Sequence, residues 1–246
     1  MRRFAENELE AMNRMRRNVI RGIVVGAALG AASLAFPTMA TAAPVSDTNC
    51  AKTSTPTSAN GWGNTFSDEQ GQAGKVTATK VVDDDGSLEF MTTADKPREA
   101  SYHGAGQLPL ADVAKKPLTF EKTAGNANWQ IRVTGANTGV SGGFATFVWS
   151  APAGAGKENA ASSNQWWSTR KIGDIPKGQN ATLAQFAEAA NSDGHKTVVD
   201  HYGISSQPNE KSGKVNVDNV SFNGCTTNFA ATGASGAFGS LDSLIP

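Results

Sequence analysis

Two cysteines, Cys50 and Cys225, frame almost all of the chain that follows a basic and apolar N-terminal segment. Cysteines of exported proteins pair by default, and the N-terminal segment predicts export. A Cys50–Cys225 disulfide would bring the first and last parts of the fold together. It would close a loop of about 175 residues, to which the chain-entropy model assigns roughly 5 kcal/mol of stability. The alternative is two free thiols. A catalytic cysteine is disfavoured because neither has a histidine near it in the sequence.

Residues 1–42 have the pattern of a cleaved signal peptide. Arg14, Arg16, Arg17 and Arg21 form a charged region before the apolar stretch 22–36, and Ala40-Thr41-Ala42 supplies small residues for cleavage after Ala42. The apolar stretch is shorter than the roughly 20 residues of a membrane-spanning helix, although an uncleaved N-terminal anchor is the alternative. We therefore predict a protein that is secreted, extracellular or associated with the cell envelope, with no stable membrane span after residue 42.

The remainder of the chain has a composition that excludes one class of partner. Residues 1–42 hold six of the 22 basic residues and three of the 22 acidic residues, which leaves a formal net charge of −3 for residues 43–246. Binding to nucleic acid needs a basic excess, so we predict none. About 200 residues fit one domain. Abundant Gly, Ser, Thr and Asn, with few long helical patterns, favour an all-β fold.

Runs of β-forming residues recur at short intervals between turn signals. The predicted strands are 75–82, 87–92, 118–123, 129–134, 143–150, 165–172, 196–202 and 214–222. Asp83–Gly86 predicts a hairpin between the first two strands, and Gly125-Asn126 predicts another between the third and fourth. Residues 129–134 alternate between apolar and polar, as in a half-buried strand. Residues 143–150 are apolar on both faces and predict a central strand.

One short helix is predicted among the strands. Thr182 and Gln185 have the spacing of a capping box, and four apolar residues then share one helical face: Leu183, Phe186, Ala187 and Ala190. A helix of this length is a connection packed on a sheet. The predicted organisation is a signal peptide (1–42), an N-terminal loop segment (43–60), a β-sandwich domain (61–229) and a flexible C-terminal tail (230–246).

Several short motifs resemble known families. Residues 217–222 (VDNVSF) resemble the closing strand of jelly-roll carbohydrate-binding modules and concanavalin-like domains, and residues 86–90 (GSLEF) resemble an early strand of the same families. Residues 166–170 (WWSTR), the helix and the closing strand resemble a group of bacterial secreted β-sandwich proteins without an assigned activity. The resemblance covers roughly residues 60–225. It implies a jelly-roll-type β-sandwich, although a fold does not fix a function.

The same resemblance implies a structural calcium ion. In those modules the aspartate of the closing motif often binds calcium, and Asp218 occupies that position, with Asp68 or Glu69 as a partner. The usual N-terminal N-G-x-F-E motif of these modules is only echoed here by residues 60–63 (NGWG). The apolar alternation breaks at Asp218-Asn219, which predicts a bulge that can direct a carboxylate toward an oxygen-ligated ion. The alternative is that Asp218 accepts hydrogen bonds from backbone amides.

A second acidic run, Asp83-Asp84-Asp85-Gly86, has two interpretations. It could hold a cation, but it lacks the spaced ligands and the distant Glu of the helical calcium loop. We interpret it as a charged hairpin turn.

Adjacent tryptophans supply the best candidates for a sugar-binding surface. Sugars stack their C–H faces on exposed indoles, and Trp166 and Trp167 would point to opposite faces of a strand, so that one reaches the surface. Trp62 is a further candidate, with Gln130 and Arg132 as nearby hydrogen-bonding groups. The alternative is that both adjacent tryptophans are packed in the core.

No catalytic constellation is found in the sequence. The H-E-x-x-H, G-x-S-x-G, P-loop and dinucleotide motifs are missing, and Asp200 and His201 would point apart as strand neighbours. The sequence therefore predicts an exported, non-catalytic protein that binds polysaccharide or cell-wall glycan, with oligomeric state left open. One alternative is a structural or adhesive surface protein with a protein partner, which would bury its tryptophans and expose an apolar patch or an unpaired edge strand. A glycan-active hydrolase is a further alternative, since paired carboxylates meet only in the fold.

Overall fold

The computed structural model describes residues 53–66, 72–206 and 213–231. All of them fall within one unit, Ala43–Pro246. The predicted signal peptide, Cys50, Asp68, Glu69 and all but the first two residues of the predicted tail lie outside the described residues. Neither helix in the described ranges is long and apolar enough to cross a membrane.

Short strands make up most of the described chain. They are β1 (Thr53–Ser54), β2 (Lys75–Thr77), β3 (Ser87–Met91), β4 (Glu99–Pro109), β5 (Thr119–Lys122), β6 (Asn128–Thr134), β7 (Ala145–Ser150), β8 (Gly156–Asn159), β9 (Trp167–Ser168), β10 (Val198–Ser206), β11 (Lys214–Phe222) and β12 (Cys225–Phe229). The helices are α1 (Leu110–Val113) and α2 (Leu183–Ala190), and Ser141–Gly143 and Ser192–Gly194 form 3₁₀ turns.

The strands form two sheets. In the seven-stranded sheet the order is β1-β12-β11-β3-β2, and β5 joins β11 with β8 beside it. The five-stranded sheet has the order β4-β10-β6-β7-β9. The sheets pack face to face, since Tyr202 of β10 stacks on Phe222 of β11 with 3.9 Å between ring centroids. The prediction of an all-β sandwich is confirmed.

Strand alternation explains how the core is filled. Trp129, Ile131 and Val133 of β6 are fully buried and face the other sheet, where Phe120 of β5 lies 5.9 Å from Trp129 between ring centroids. Burial of apolar surface from both sheets is the main stabilising contribution to such a sandwich. Strand β7 is buried along nearly its whole length, as predicted for a central strand.

The predicted helix is confirmed as α2. The Thr182 hydroxyl accepts a hydrogen bond from the Gln185 amide at 3.1 Å, and the Gln185 side chain accepts one from the Thr182 amide at 2.9 Å. Phe186 packs against Phe147 of β7 with 4.9 Å between ring centroids, which fixes the helix on the five-stranded sheet. The one-turn helix α1 was not predicted because four residues show no periodicity.

Two predicted strand connections have different outcomes. β2 and β3 do pair antiparallel, although residues 78–86 form a longer connection than a tight turn. The second predicted hairpin is wrong. β5 pairs with β11 and β8, whereas β6 pairs with β10 and β7, so the chain crosses between the sheets at Gly125-Asn126.

The ends of the sandwich also differ from the predicted boundaries. β1 lies inside the predicted loop segment 43–60 and pairs in parallel with β12. The predicted strand 165–172 reduces to the two residues of β9. Strands β4 and β12 were missed, since Gly104, Gly106 and Pro109 interrupt the β-rich pattern of β4.

Candidate functional site

On one edge of β11, a gap between its partner strands β3 and β12 leaves two residues of β11 unpaired on that edge. Along one edge of β11, Lys214–Val217 pairs with β3 and Val220–Phe222 pairs with β12. Asp218 and Asn219 lie between these partners. Asn219 has a positive φ of 50°, and the pairing with β5 shifts register between Asp218 and Ser221. The bulge predicted at Asp218-Asn219 is therefore confirmed.

Asp218 is fully buried at this gap. Its Oδ1 accepts hydrogen bonds from the Asn219 amide at 2.8 Å and the Phe229 amide at 2.9 Å. Its Oδ2 has no hydrogen-bond partner. Burial, with a smaller contribution from the negative charges of Asp83 and Asp85, raises the pKa of Asp218 to about 6, against the lowering effect of the two amide hydrogen bonds. The backbone-amide alternative thus accounts for one carboxylate oxygen and leaves the other unexplained.

The loop 78–86 brings two more carboxylates to Asp218. One oxygen from each of Asp83, Asp85 and Asp218 lies within 4.8 Å of the others. Asp85 Oδ1 is buried without a partner, while its Oδ2 accepts a hydrogen bond from Asn228 at 2.8 Å. A hydrogen bond to Asp85 raises the pKa of Asp83. We call these three residues the carboxylate cluster.

Gly86 allows the loop to approach the end of β12. Its φ is +148°, and an added Cβ would lie 2.5 Å from the Ala231 amide nitrogen, so any larger residue would force the backbones apart. The Asp85 carbonyl accepts a hydrogen bond from that amide at 2.8 Å. The loop, the gap in β11 and the end of β12 are thereby held together.

The chemistry of the carboxylate cluster fits a divalent cation with oxygen ligands. Three carboxylates repel one another, and two of their oxygens are buried without a partner, which a bound cation would satisfy. Calcium takes such ligands from carboxylates and carbonyls. The sequence pointed separately to Asp218 and to the acidic run, but only the fold joins them. The hairpin-turn interpretation of Asp83–Gly86 did not predict that this run lies beside Asp218, and Asp68 lies outside the described residues.

The predicted sugar-binding tryptophans lie in different environments. Trp166 is fully buried and its indole donates a hydrogen bond to the Ala160 carbonyl at 2.8 Å, so it cannot stack on a sugar. Trp167 is half-buried on the outer face of the five-stranded sheet. Trp62 is 7% exposed, and its indole donates to Thr227 at 3.3 Å.

Gln130 and Arg132 share the outer face with Trp167 but are packed against protein. Both are buried, with 3% and 7% of their surface exposed. The Gln130 amide donates to the Ser205 hydroxyl at 2.8 Å. The Arg132 guanidinium lies 3.7 Å from the centroid of Phe66, a cation–π contact. Their role as ligand-binding residues stays a prediction, although these contacts engage their side chains within the protein.

A cavity of about 340 Å³ lies at the edge of the sandwich, where β1, β12, β3 and β2 face β4. We call it the edge cavity. Its aromatic walls are Trp62 and Phe229, whose ring centroids are 5.0 Å apart. Ser54 and Ser101 contribute hydroxyls, and Lys75 stands at the border. Sequence reasoning identified Trp62 alone, because the other lining residues come from strands that are distant in the chain.

Asp200 and His201 form an unexpected pair. The His201 Nδ1 lies 3.3 Å from the Asp200 Oδ2, although neighbours on a regular strand point apart. Both pairing partners of β10 shift register between Val199 and His201, and this bulge brings the side chains together.

Comparison with known proteins finds a similar solved structure but no similar sequence. No family model and no curated protein matches the chain. Among solved structures, a carbohydrate-binding module of family CBM28, specific for non-crystalline cellulose, is 13% identical, with 66% of this chain and 87% of that chain covered and a TM-score of 0.30.

Proposed function

We propose that this protein is an exported, non-catalytic β-sandwich module that binds a polysaccharide in the edge cavity. The observation that supports this most directly is the cavity itself, a concave site of about 340 Å³ with two aromatic walls and two hydroxyls. The basic and apolar N-terminal segment supports export.

The lining of the edge cavity suits a sugar ring. A sugar presents C–H groups on its faces and hydroxyls around its edge, so it needs apolar walls with a few hydrogen-bonding groups. Trp62 offers an apolar wall, with the Phe229 ring packed against it, while the Ser101 hydroxyl offers a polar contact. The volume lies at the lower end of the range for ligand cavities, which is roughly 300–1,000 Å³.

Trp62 is held rigidly before any ligand arrives. Its indole donates to Thr227, and its ring makes edge contacts with Tyr202 and Phe229. A side chain fixed in this way loses little conformational freedom on binding, which favours affinity.

A structural or adhesive protein is the second candidate function. Trp62, Trp129, Trp149 and Trp166 are buried, as that alternative predicts. The large hydrophobic residues exposed in the described part of the chain are Val82, Met91 and Val140, on three separate segments, which supplies no apolar patch for a protein partner.

We also propose that the carboxylate cluster binds a structural calcium ion. The ion would neutralise Asp83, Asp85 and Asp218 and satisfy their buried oxygens. Asp218 also holds the Phe229 amide, and Phe229 forms one wall of the edge cavity. Calcium would therefore stabilise the segment that carries part of the proposed binding site.

Pull-down and affinity electrophoresis of the purified protein on insoluble and soluble polysaccharides, including cell-wall material, test the proposed function. Ala59 lines the edge cavity and is exposed, so Ala59→Phe would fill the cavity without removing a core side chain. We expect retention on at least one polymer, its loss in Ala59→Phe, and no loss in the matched control Trp167→Ala. Melting curves would confirm that both variants fold.

Two other outcomes would contradict the proposal. Loss of retention in Trp167→Ala but not in Ala59→Phe would move the binding site to the outer face of the five-stranded sheet. Retention on no polymer would reject the glycan-binding function and leave the protein-partner alternative.

A further inference from the structure

A second cavity of about 400 Å³ adjoins the edge cavity. We call it the acidic cavity because Glu89, Asp95 and Glu99 line it, together with Lys75 and Lys96. Lys75 lines both cavities. The two cavities are therefore neighbours along the same edge of the sandwich.

One short segment separates the cavities. The Gln72 carbonyl accepts a hydrogen bond from the Ala100 amide at 3.0 Å, and the Gly74 amide donates to the Ser101 hydroxyl at 3.1 Å. The chain then enters β2, where Lys75 pairs with Glu89. Residues 72–75 thus cross from β4 to β3 as a strap, with one cavity on each side.

Strand β4 places the two cavities within reach of one extended molecule. Ser101 lines the edge cavity and Glu99 lines the acidic cavity. As residues two apart on a strand they point to the same face, with their Cα atoms roughly 7 Å apart. That spacing is comparable to the length of a single sugar residue.

Glu99 contributes a carboxylate to the lining of the acidic cavity. Only 9% of its surface is exposed. Its Oε2 accepts a hydrogen bond from the Met91 amide at 2.7 Å, and Oε1 makes none within the described ranges. Oε1 is open to solvent in the cavity, so it can accept a hydrogen bond from a ligand, such as a sugar hydroxyl.

We infer that the ligand is a linear, neutral, hydroxyl-rich chain that crosses the strap and occupies both cavities at once. This inference rests on the proposed function. The edge cavity would take the apolar face of one sugar, and Glu99 would accept a hydroxyl hydrogen bond from the next part of the chain. Glu89 is already paired with Lys214 at 2.6 Å. The remaining carboxylates, Asp95 and Glu99, are balanced by Lys75 and Lys96, so the acidic cavity offers no net positive charge to attract a polyanionic chain.

Titration calorimetry with oligosaccharides of increasing length tests this inference. The probes are gluco-, xylo-, manno- and N-acetylchito-oligosaccharides from monosaccharide to hexasaccharide, with oligogalacturonides as the anionic series. In at least one neutral series we expect the affinity to rise about tenfold or more from monosaccharide to hexasaccharide, because a single sugar fills only the edge cavity and a longer chain also reaches the acidic cavity.

A conservative variant tests whether the acidic cavity causes the rise in affinity with chain length. Glu99→Gln keeps an oxygen acceptor for the Met91 amide but removes the charged acceptor from the cavity. We expect it to weaken hexasaccharide binding by about tenfold and to leave monosaccharide binding unchanged. Glu188→Gln, on the exposed face of α2, is the matched control and should change neither.

The remaining outcomes separate this inference from the proposed function. Binding without a gain in affinity with length, or hexamer binding unaffected by Glu99→Gln, would overturn the extended site and leave the edge cavity as the binding site. Tighter binding of oligogalacturonides than of any neutral series would overturn the neutral ligand class. Binding of no series would reject the proposed function, and this inference with it.

Discussion

The two carboxylate oxygens of Asp218 have different environments, one hydrogen-bonded and one without a partner. Oδ1 accepts hydrogen bonds from two backbone amides at the gap in β11. Oδ2 is buried without a partner, and the carboxylates of Asp83 and Asp85 lie close to the Asp218 carboxylate. A neutral side chain could accept the same two hydrogen bonds. The charge of Asp218 is therefore costly for the metal-free fold, and this cost supports the proposed calcium ion.

The pH dependence of metal-free stability should reveal this cost. The folded pKa of Asp218, about 6, lies above the ordinary value of 3.8, so the stabilisation by the protonated form is fully present below about pH 4 and is lost as the pH rises through 6. In chelator at pH 8, we expect Asp218→Asn to be more stable than the wild type, by at most about 3 kcal/mol. At pH 4 the difference should vanish. Urea unfolding at both pH values measures it.

Asp174→Asn serves as the control for this measurement, since Asp174 is exposed and lies outside the carboxylate cluster. Its stability should follow the wild type at both pH values. If Asp218→Asn also followed the wild type, the buried charge would cost nothing and the argument from burial would fail.

Calcium should reverse the ranking of the two proteins. A ligand that binds only the folded state stabilises it in proportion to the logarithm of its concentration above Kd. We expect added calcium to raise the Tm of the wild type and chelator to lower it, while Asp218→Asn responds to neither. Differential scanning calorimetry at pH 7 measures both. An unchanged wild-type Tm in chelator would end the calcium proposal.

Residue patterns predicted part of this site, and the reason for the limit is physical. The broken alternation at Asp218-Asn219 is a local signal, so the bulge could be predicted from the sequence. The approach of Asp83 and Asp85 depends on strand pairing across more than a hundred residues, which no local pattern records. The same limit explains Trp62, which was identified as a candidate without the other wall of its cavity, Phe229.

Elements were predictable where the local pattern matched the final environment. Helix α2 has a capping box and one apolar face, and both are local properties that the fold preserves. The hairpin predicted at Gly125-Asn126 failed because turn chemistry reports a change of direction and not the sheet that the next strand joins. β6 found its partners in β10 and β7, on the opposite sheet from β5.

The capping box gives a direct test at the level of the element. Thr182→Ala removes the hydroxyl that accepts a hydrogen bond from the Gln185 amide. We expect this change to lower the free energy of unfolding by about 1 kcal/mol. Thr182→Ser keeps the hydroxyl and should lie close to the wild type. Urea unfolding followed by tryptophan fluorescence measures both. Equal stability of the two variants would show that packing of Phe186 on Phe147 alone holds α2 in place.

At the scale of the whole molecule, the first and last described strands lie side by side, as the positions of the two cysteines predict. β1 pairs with β12, and the Ala230 amide donates to the Ser54 carbonyl at 3.0 Å. Cys225 begins β12, is buried and pairs with Phe222 across a tight turn. Cys50 lies outside the described residues, so the disulfide itself stays a prediction. Such a bridge would tie the segment that precedes β1 to Cys225 at the start of β12, the strand with which β1 pairs.

Removing the disulfide should destabilise the whole sandwich and not one element. A bridge over a loop of about 175 residues removes chain entropy from the unfolded state, so we expect Cys50→Ser with Cys225→Ser to lose up to roughly 5 kcal/mol. The expected urea curve shifts as a single cooperative transition, and reductant reproduces the shift in the wild type. Peptide mapping of the non-reduced protein should recover one cross-linked peptide that contains both cysteines. Two thiols open to alkylation in the native exported protein, with no effect of reductant on unfolding, would show that strand pairing between β1 and β12 joins the ends without a covalent bond.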